Sequence, residues 1–412
     1  MMSEQGVGFS LKPLPRWIDG AVGIAEALGL HNDRLQPEPL MHQAAKVAGL
    51  PPDFPSHVRE ALQVLCQSLK TEVHLNWLGV ANNYNLLVGG LATLLRVEKM
   101  FQDDPSLANE PLLNPMVVIG LPRSGTTFLH RLLSASPDAV GVPLWRHLFP
   151  VVLRRFDFRQ LEAKALLFPW LAASKSYDID KMHFVRTDLP DECNFGMRLA
   201  GRSMIYWGTN PVHTYLRWLM SQDLHENYQM YRKVLILHQR ANPGRRLTLK
   251  CPHHIAWLPA LAKALPEATI VQTHRDPVEC VPSECKLILS VHGISVKELD
   301  WRRTVESNHF KVHAYTERSV AFADTPAGAR VHHIDYRQLV RDPVGVARAV
   351  HDRAGIPFTP SHQATLADFA AENRQHKHGK NQYSAADFGL DPAWLAKEFA
   401  DYRERFLPNK ND

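Results

Sequence analysis

Residues 116–133, MVVIGLPRSGTTFLHRLL, decide how the chain is read. Val117, Val118 and Ile119 form a short β-branched run, the pattern of a parallel strand buried on both faces. Gly120 and Gly125 bracket the turn that follows, and without side chains they let backbone amides face inward. Thr126 and Thr127 then open a helix whose Phe128, Leu129, Leu132 and Leu133 recur at core-facing spacing. Strand, tight loop and helix N-terminus together make an anion site. The first amides of a helix lack intrahelical acceptors and carry a partial positive charge.

The spacing G-x-x-x-x-G is that of a phosphate-cradling loop, but Thr126 stands where an NTP-hydrolysing enzyme carries lysine. That lysine serves β- and γ-phosphates with magnesium, so its replacement argues for a ligand with a single phosphate gripped at this point. Arg123 supplies a fixed cation instead. Residues 120–127, GLPRSGTT, resemble the 5′-phosphate loop of sulfotransferases that use 3′-phosphoadenosine 5′-phosphosulfate (PAPS), above all a bacterial family carrying P-R-[ST]-G-T-T. The resemblance implies that Arg123, Ser124, Gly125, Thr126 and Thr127 bind this donor.

Further elements follow in a matching order. Residues 246–250, RLTLK, read as a strand ending in Lys250-Cys251-Pro252-His253-His254, with a helix over about 255–265. Residues 268–274 are the next strand, ending at Arg275-Asp276-Pro277, and the helix beyond carries Ser283. Residues 330–336 form a last strand-like run, with a helix over 344–354 stopped by Gly355 and Pro357. Strands alternating with helices, with polar residues gathered at strand ends, indicate an α/β fold with a central parallel sheet flanked by helices.

Arg275 at a strand end and Ser283 about two turns into the next helix can reach one anion. Their spacing, RDPVECVPS, is similar to the 3′-phosphate motif of the same family. Tyr336 begins YRQLVRDP, which resembles the Y-E-D-L segment whose tyrosine contacts adenine, with Arg337 in place of the usual Glu. In the family a basic loop closes over the 3′-phosphate, a role that the resemblance gives to Lys377, His378, Gly379 and Lys380. Composition alone reads that stretch as a solvated basic loop. The phrases TEVHLNWLG at 71–79 and DLPDEC at 188–193 extend the resemblance over most of the chain.

The implied chemistry is sulfuryl transfer, in line and loosely bonded like phosphoryl transfer, served by positioning and charge stabilisation with no metal. Lys250 resembles the family lysine that contacts the leaving group. The acceptor hydroxyl needs a base, and a histidine soon after this lysine has that role in related enzymes. His254 is the first candidate, His253 the second and Glu192 the competing carboxylate. Relatives place a Glu after the tryptophan corresponding to Trp145, where this chain has Arg146, which leaves His147 as a further candidate. The pair His332-His333 lacks i, i+4 spacing or a C-x-x-C partner, so no metal site is expected there.

The rest of the 412 residues frames this core. Residues 1–110 read as a helical region packed on the core, with Leu62, Leu65, Cys66 and Leu69 on one face and Leu75, Leu78 and Gly79 continuing it. Residues 111–412 read as the PAPS-binding domain, with a helical acceptor-site insertion around 160–240. Aromatic residues there, Phe195, Trp207, Tyr228 and Tyr231 among them, either line an acceptor pocket or build core. Arg146, Arg154 and Arg155 gather near the end of a second strand.

A formal charge of +5, with Lys and Arg interspersed among Asp and Glu, points to neither nucleic acid nor membrane. Five scattered cysteines favour a reducing, cytoplasmic compartment over a disulfide framework. No apolar run suits a signal peptide or a membrane span. The expected activity is PAPS-dependent transfer to a small-molecule or glycan hydroxyl, by a monomer or a homo-oligomer. A non-catalytic nucleotide-binding module of the same fold is the alternative, and an ATP phosphotransferase is disfavoured by the missing loop lysine.

Overall fold

The computed structural model describes residues 9–16, 18, 34–151, 156–373 and 384–408. Its centre is a five-stranded, all-parallel sheet of order β2-β3-β1-β4-β5. The strands are β1 (Met116–Gly120), β2 (Ala139–Gly141), β3 (Arg246–Lys250), β4 (Thr269–His274) and β5 (His332–Asp335). All five residues of β1 are buried, as a central strand covered on both faces requires. Pleating divides them. Val117 and Ile119 join the larger core with Leu247 and Leu249 of β3, while Met116 and Val118 join a smaller one with Val271 and Ile334. Each such fully buried Val or Ile contributes roughly 1.5–3 kcal/mol of transfer free energy.

Helices cover both faces. On the side of the smaller core lie α4 (Thr126–Ser134), α14 (Tyr336–Arg341), α15 (Pro343–Arg353) and α16 (Pro360–Glu372), through Leu129, Leu132, Leu133, Leu339, Val346, Val350 and Leu366. The larger core is built with three N-terminal helices, α1 (Pro37–Ala48), α2 (Ser56–Glu72) and α3 (Trp77–Asp103). To it also belong α5 (Leu144–Leu148), α6 (Arg159–Ser174), α7 (Cys193–Met197), α8 (Met204–Thr209), α9 (His213–Ser221), α10 (His225–Arg240), α11 (Leu258–Ala264), α12 (Pro277–Ser295) and α13 (Trp301–Ala323). The C-terminal helix α17 (Ala400–Phe406) lays Tyr402 in the same core. Among the described residues, no helix is long and apolar enough to cross a membrane.

One sequence expectation changes in its detail. The apolar face of residues 62–79 is not one helix: α2 ends at Glu72 and α3 starts afresh after Asn76. Asn76 Oδ1 accepts the Gly79 amide at 2.9 Å, and its Nδ2 donates to the Ile294 carbonyl at 2.9 Å. That cap satisfies an orphan helix donor and pins α3 to the end of α12. Gly79 permits the contact, since a Cβ there would meet the Ser295 carbonyl oxygen at 2.2 Å.

The parallel register brings the C-terminal ends of β1, β3, β4 and β5 to one edge, where Val118 pairs with Lys250, Gly120 with Thr273 and His274 with Asp335. The chain leaves β1 for the far edge strand β2, returns to β3 and then crosses β1 to reach β4. Such a reversal opens a crevice outside the strand ends, the usual ligand position in open α/β sheets.

Candidate active site

The loop after β1 is held from below. The Ser124 hydroxyl, fully buried, donates to the Leu121 carbonyl at 2.6 Å and shares a hydrogen bond with Thr273 Oγ1 at 2.8 Å. Gly120 makes this possible, because a Cβ there would stand 2.3 Å from Thr273 Oγ1. Ser124 therefore braces the loop against β4, a task the sequence reading did not separate from ligand binding. Gly125, at φ 89°, is the residue before α4, and Thr126 and Thr127 form that helix's first turn. Arg123 sits at φ 71°, a left-handed conformation that costs a non-glycine residue energy and is held by its contacts.

Those contacts assemble the rest of the site. Arg123 Nε donates to Ser283 Oγ at 3.1 Å and its Nη1 to the Met182 carbonyl at 2.7 Å. Its own carbonyl accepts from Arg275 Nη1 at 2.9 Å. Arg275 also pairs with the exposed Glu279 carboxylate at 2.7 Å, and its guanidinium lies over the Tyr336 ring, 4.5 Å from the centroid. Tyr336 in turn packs on Gly125, where a Cβ would meet the ring at 2.9 Å. Five residues singled out by sequence, from four separate segments, thus converge: Arg123, Gly125, Arg275, Ser283 and Tyr336. Lys377, His378, Gly379 and Lys380 lie outside the described residues, as do Arg154 and Arg155.

Lys250 closes β3 beside this loop and is 1% exposed. Its Nζ donates to Glu192 Oε1 at 2.7 Å. Glu192 reaches it because the segment before it is laced to the chain after β2. Leu144 N donates to the Leu189 carbonyl at 3.0 Å, Trp145 N to the Thr187 carbonyl at 2.9 Å and Asp191 N to the Val142 carbonyl at 3.2 Å. Burial pushes the Glu192 carboxyl up, but the charge and hydrogen bond of Lys250, together with His253 and His183, outweigh it and hold the group at about 2. A buried pair of this kind loses several kcal/mol if one partner is removed, roughly 3–5 kcal/mol.

The two adjacent histidines part company. Cys251 is extended and Pro252–Trp257 forms a 3-10 turn, so neighbouring side chains diverge. His253 shares a 2.7 Å hydrogen bond between Nδ1 and the Tyr315 hydroxyl, and it lines a cavity of about 170 Å³. His254 turns away from that cavity, bonded through Nδ1 to the Tyr228 hydroxyl at 2.7 Å and packed against the rings of Tyr228 and Tyr231. Burial lowers both imidazoles to about 3, with the Lys311 ammonium adding to the effect at His253. Of the two, only His253 lines this cavity, whereas the sequence reading puts His254 first. His147 is buried edge-on to His238, 5.6 Å between centroids, and is not part of the cavity wall.

The cavity runs from Pro122 of the loop past Glu192 and His253 into apolar walls that include Leu86, Trp170 and Trp207. Among the aromatics of the helical insertion, Phe195 and Trp207 line it, whereas Tyr206, Tyr215, Tyr228 and Tyr231 are core. Sequence reasoning missed Glu284 on this wall and the fully buried Lys311 that pairs with it. The only signal was Asn308, Lys311 and Tyr315 sharing one helical face with apolar residues, which periodicity alone reads as core.

A histidine and aspartate grouping outside the site, Asp138, His351 and His362, is a hydrogen-bonded brace. His362 Nε2 meets Asp138 Oδ1 at 3.1 Å and its Nδ1 accepts the Thr359 amide at 3.2 Å, while His351 binds Ser136 Oγ and the Ala347 carbonyl. These bonds commit the ring nitrogens. Asp138 also precedes β2, at the sheet edge opposite the crevice.

With this geometry in view, the comparisons are specific. A model of the sulfotransferase family matches residues 115–360. The fold is similar to the crystal structure of sulfotransferase STF1 from Mycobacterium tuberculosis H37Rv, at 27% identity and TM-score 0.71 over 88% of this chain and 98% of that one. It is also similar to sulfotransferase STF9 from Mycobacterium avium, at 24% identity and TM-score 0.79 over 90% and 97% of the two chains. No curated protein sequence matches.

Proposed function

The chain belongs to the sulfotransferase family, and from that premise we propose that it moves a sulfuryl group from PAPS to the hydroxyl of a small-molecule acceptor. The observation that carries this reading is the meeting, at one sheet edge, of a braced anion loop with Lys250 and with the Glu192 that it holds, Glu192 and His253 lying on the wall of an apolar cavity.

The donor-binding residues fit the group they would hold. The first-turn amides of α4 suit a 5′-phosphate, and Arg275 with Ser283, gathered around Arg123, suits a 3′-phosphate. Tyr336, already stacked on a guanidinium, offers a face to a purine. Lys250 would stabilise charge developing on the leaving oxygen. His253, neutral at working pH, would take the acceptor proton, with Tyr315 fixing its ring. Glu192 lies close enough to raise the basicity of His253 by its charge. The five cysteines are free and buried, which supports a reducing compartment.

The direct test is incubation with PAPS and mixed hydroxylated acceptors, followed by mass detection of an added sulfuryl group. It is paired with thermal melts in 3′-phosphoadenosine 5′-phosphate and in AMP. The bisphosphate should raise the melting midpoint well above AMP, because a ligand bound only by the folded state stabilises it by mass action. Equal shifts with the two nucleotides would remove the 3′-phosphate assignment. Turnover that needed ATP and a divalent ion would replace the reading with phosphoryl transfer.

A further inference from the structure

The cavity wall carries a second carboxylate that the transfer step does not use. Glu284 follows Ser283 on α12, and one residue further turns the helix by about 100°, so Ser283 faces Arg123 while Glu284 faces the cavity. Glu284 is 4% exposed. Its Oε1 accepts from Lys311 Nζ, and Lys311 is fully buried with its ammonium 4.5 Å from the centroid of the Trp207 ring. Its Oε2 is buried and has no hydrogen-bond partner among the described residues.

A buried carboxylate oxygen without a donor is costly, and such groups are nearly always satisfied. Burial pushes the Glu284 carboxyl up against the pull of Lys311, which shows how little polar support the wall supplies. The lining is otherwise dominated by apolar side chains and contains no lysine or arginine. Charge sorts the ligands. Both wall carboxylates are already paired, Glu192 with Lys250 and Glu284 with Lys311, so an acidic or a cationic acceptor would add an uncompensated charge to an apolar cavity.

We propose that Glu284 Oε2 is a specificity-determining hydrogen-bond acceptor, and that the acceptor substrate is a neutral, largely apolar molecule bearing a second O–H or N–H donor besides the hydroxyl that is sulfated. The inference rests on the sulfuryl-transfer reading only for that reacting hydroxyl.

Because Trp170 and Trp207 line the cavity, binding can be read by tryptophan fluorescence without turnover. The probes are an alkanol and alkanediols of the same chain length, the second hydroxyl moved stepwise along the chain, with an alkylamine and a fatty acid as charged controls. One diol should bind about tenfold more tightly than the alkanol, and both charged controls should bind more weakly. The double variant Glu284→Met with Lys311→Met removes the pair together, a change that buried ion pairs often tolerate, and its nucleotide-dependent melting shift reports that it folds. The diol preference should vanish in it. Equal binding of the alkanol and every diol by the wild-type protein, or a diol preference that survives in the double variant, would overturn the assignment. Diol preference without any sulfuryl transfer from PAPS would instead overturn the transfer reading and leave Glu284 in its role.

Discussion

The two walls of the site are built in opposite ways. The proposed donor side is short in sequence and polar: a loop of a few residues braced by Ser124 and Thr273, with arginines set around it by hydrogen bonds. The proposed acceptor side is long in sequence and apolar, gathered from α3, α6, α7, α8 and α12, and its charged groups, Glu192 and Glu284, are members of buried ion pairs. Charge held on rigid strand ends suits a ligand whose phosphates do not vary. On the proposed reading, side chains drawn from many helices could be changed one at a time to alter acceptor choice without touching the donor loop.

The comparison breaks first at His253, on the boundary between the walls. His253→Ala should lower turnover by on the order of 10²–10⁴ while leaving product-nucleotide affinity intact, measured by steady-state rates and calorimetry. A rate close to wild type would move the base to Glu192, where Glu192→Gln should then be inactive but folded. Lys250→Ala comes next, with turnover reduced by roughly 10²–10³ and the nucleotide affinity little changed. It should also lower the melting midpoint, since Glu192 loses its partner. The pair of changes Lys250→Met and Glu192→Gln should recover the midpoint but not the activity, which separates chemistry from stability.

Arg275→Ala probes the donor wall alone and should weaken the bisphosphate by about 1.5–3 kcal/mol in calorimetry, with AMP unaffected. Equal losses for both nucleotides would mean that Arg275 only shapes the loop. A last effect, on stability alone, concerns His254, which is buried away from the cavity. Burial lowers its pKa from 6.5 to about 3, so the folded state prefers it neutral. Its contribution to stability is complete above pH 6.5 and is lost as the pH falls toward 3, by roughly 1.4 kcal/mol per pH unit. His254→Asn should flatten the acid limb of a midpoint-versus-pH curve by that slope, and an unchanged limb would mean that His254 is charged or solvated when folded.

What could be read in advance follows the same division. The run from Val117 to Leu133 is contiguous, so a buried strand, two glycines and a helical period sufficed to place the loop, and Arg275 and Tyr336 followed from their positions at strand ends, with Ser283 in the helix after Arg275. Spacing could not tell His253 from His254. A single 3-10 turn after an extended Cys251 decides which ring meets the cavity, and no propensity records that. Glu284 and Lys311 were hidden for another reason: a charge on an otherwise apolar helix face looks like an isolated exception until its partner on another helix is known. The order of strands in the sheet, with β2 at the edge and β3 inside it, likewise depends on crossovers that local pattern does not encode.

The Lys250–Glu192 pair has a kinetic meaning as well as an energetic one. On the proposed reading, Lys250 would leave Glu192 to meet the donor, and the carboxylate would then face His253 with its charge no longer shared. Its field already acts on the imidazole in the resting pair and would act more strongly once the ammonium has left. On the proposed reading, loading the donor would strengthen the base at the boundary between the walls, and an acceptor that arrived first would meet a weaker histidine.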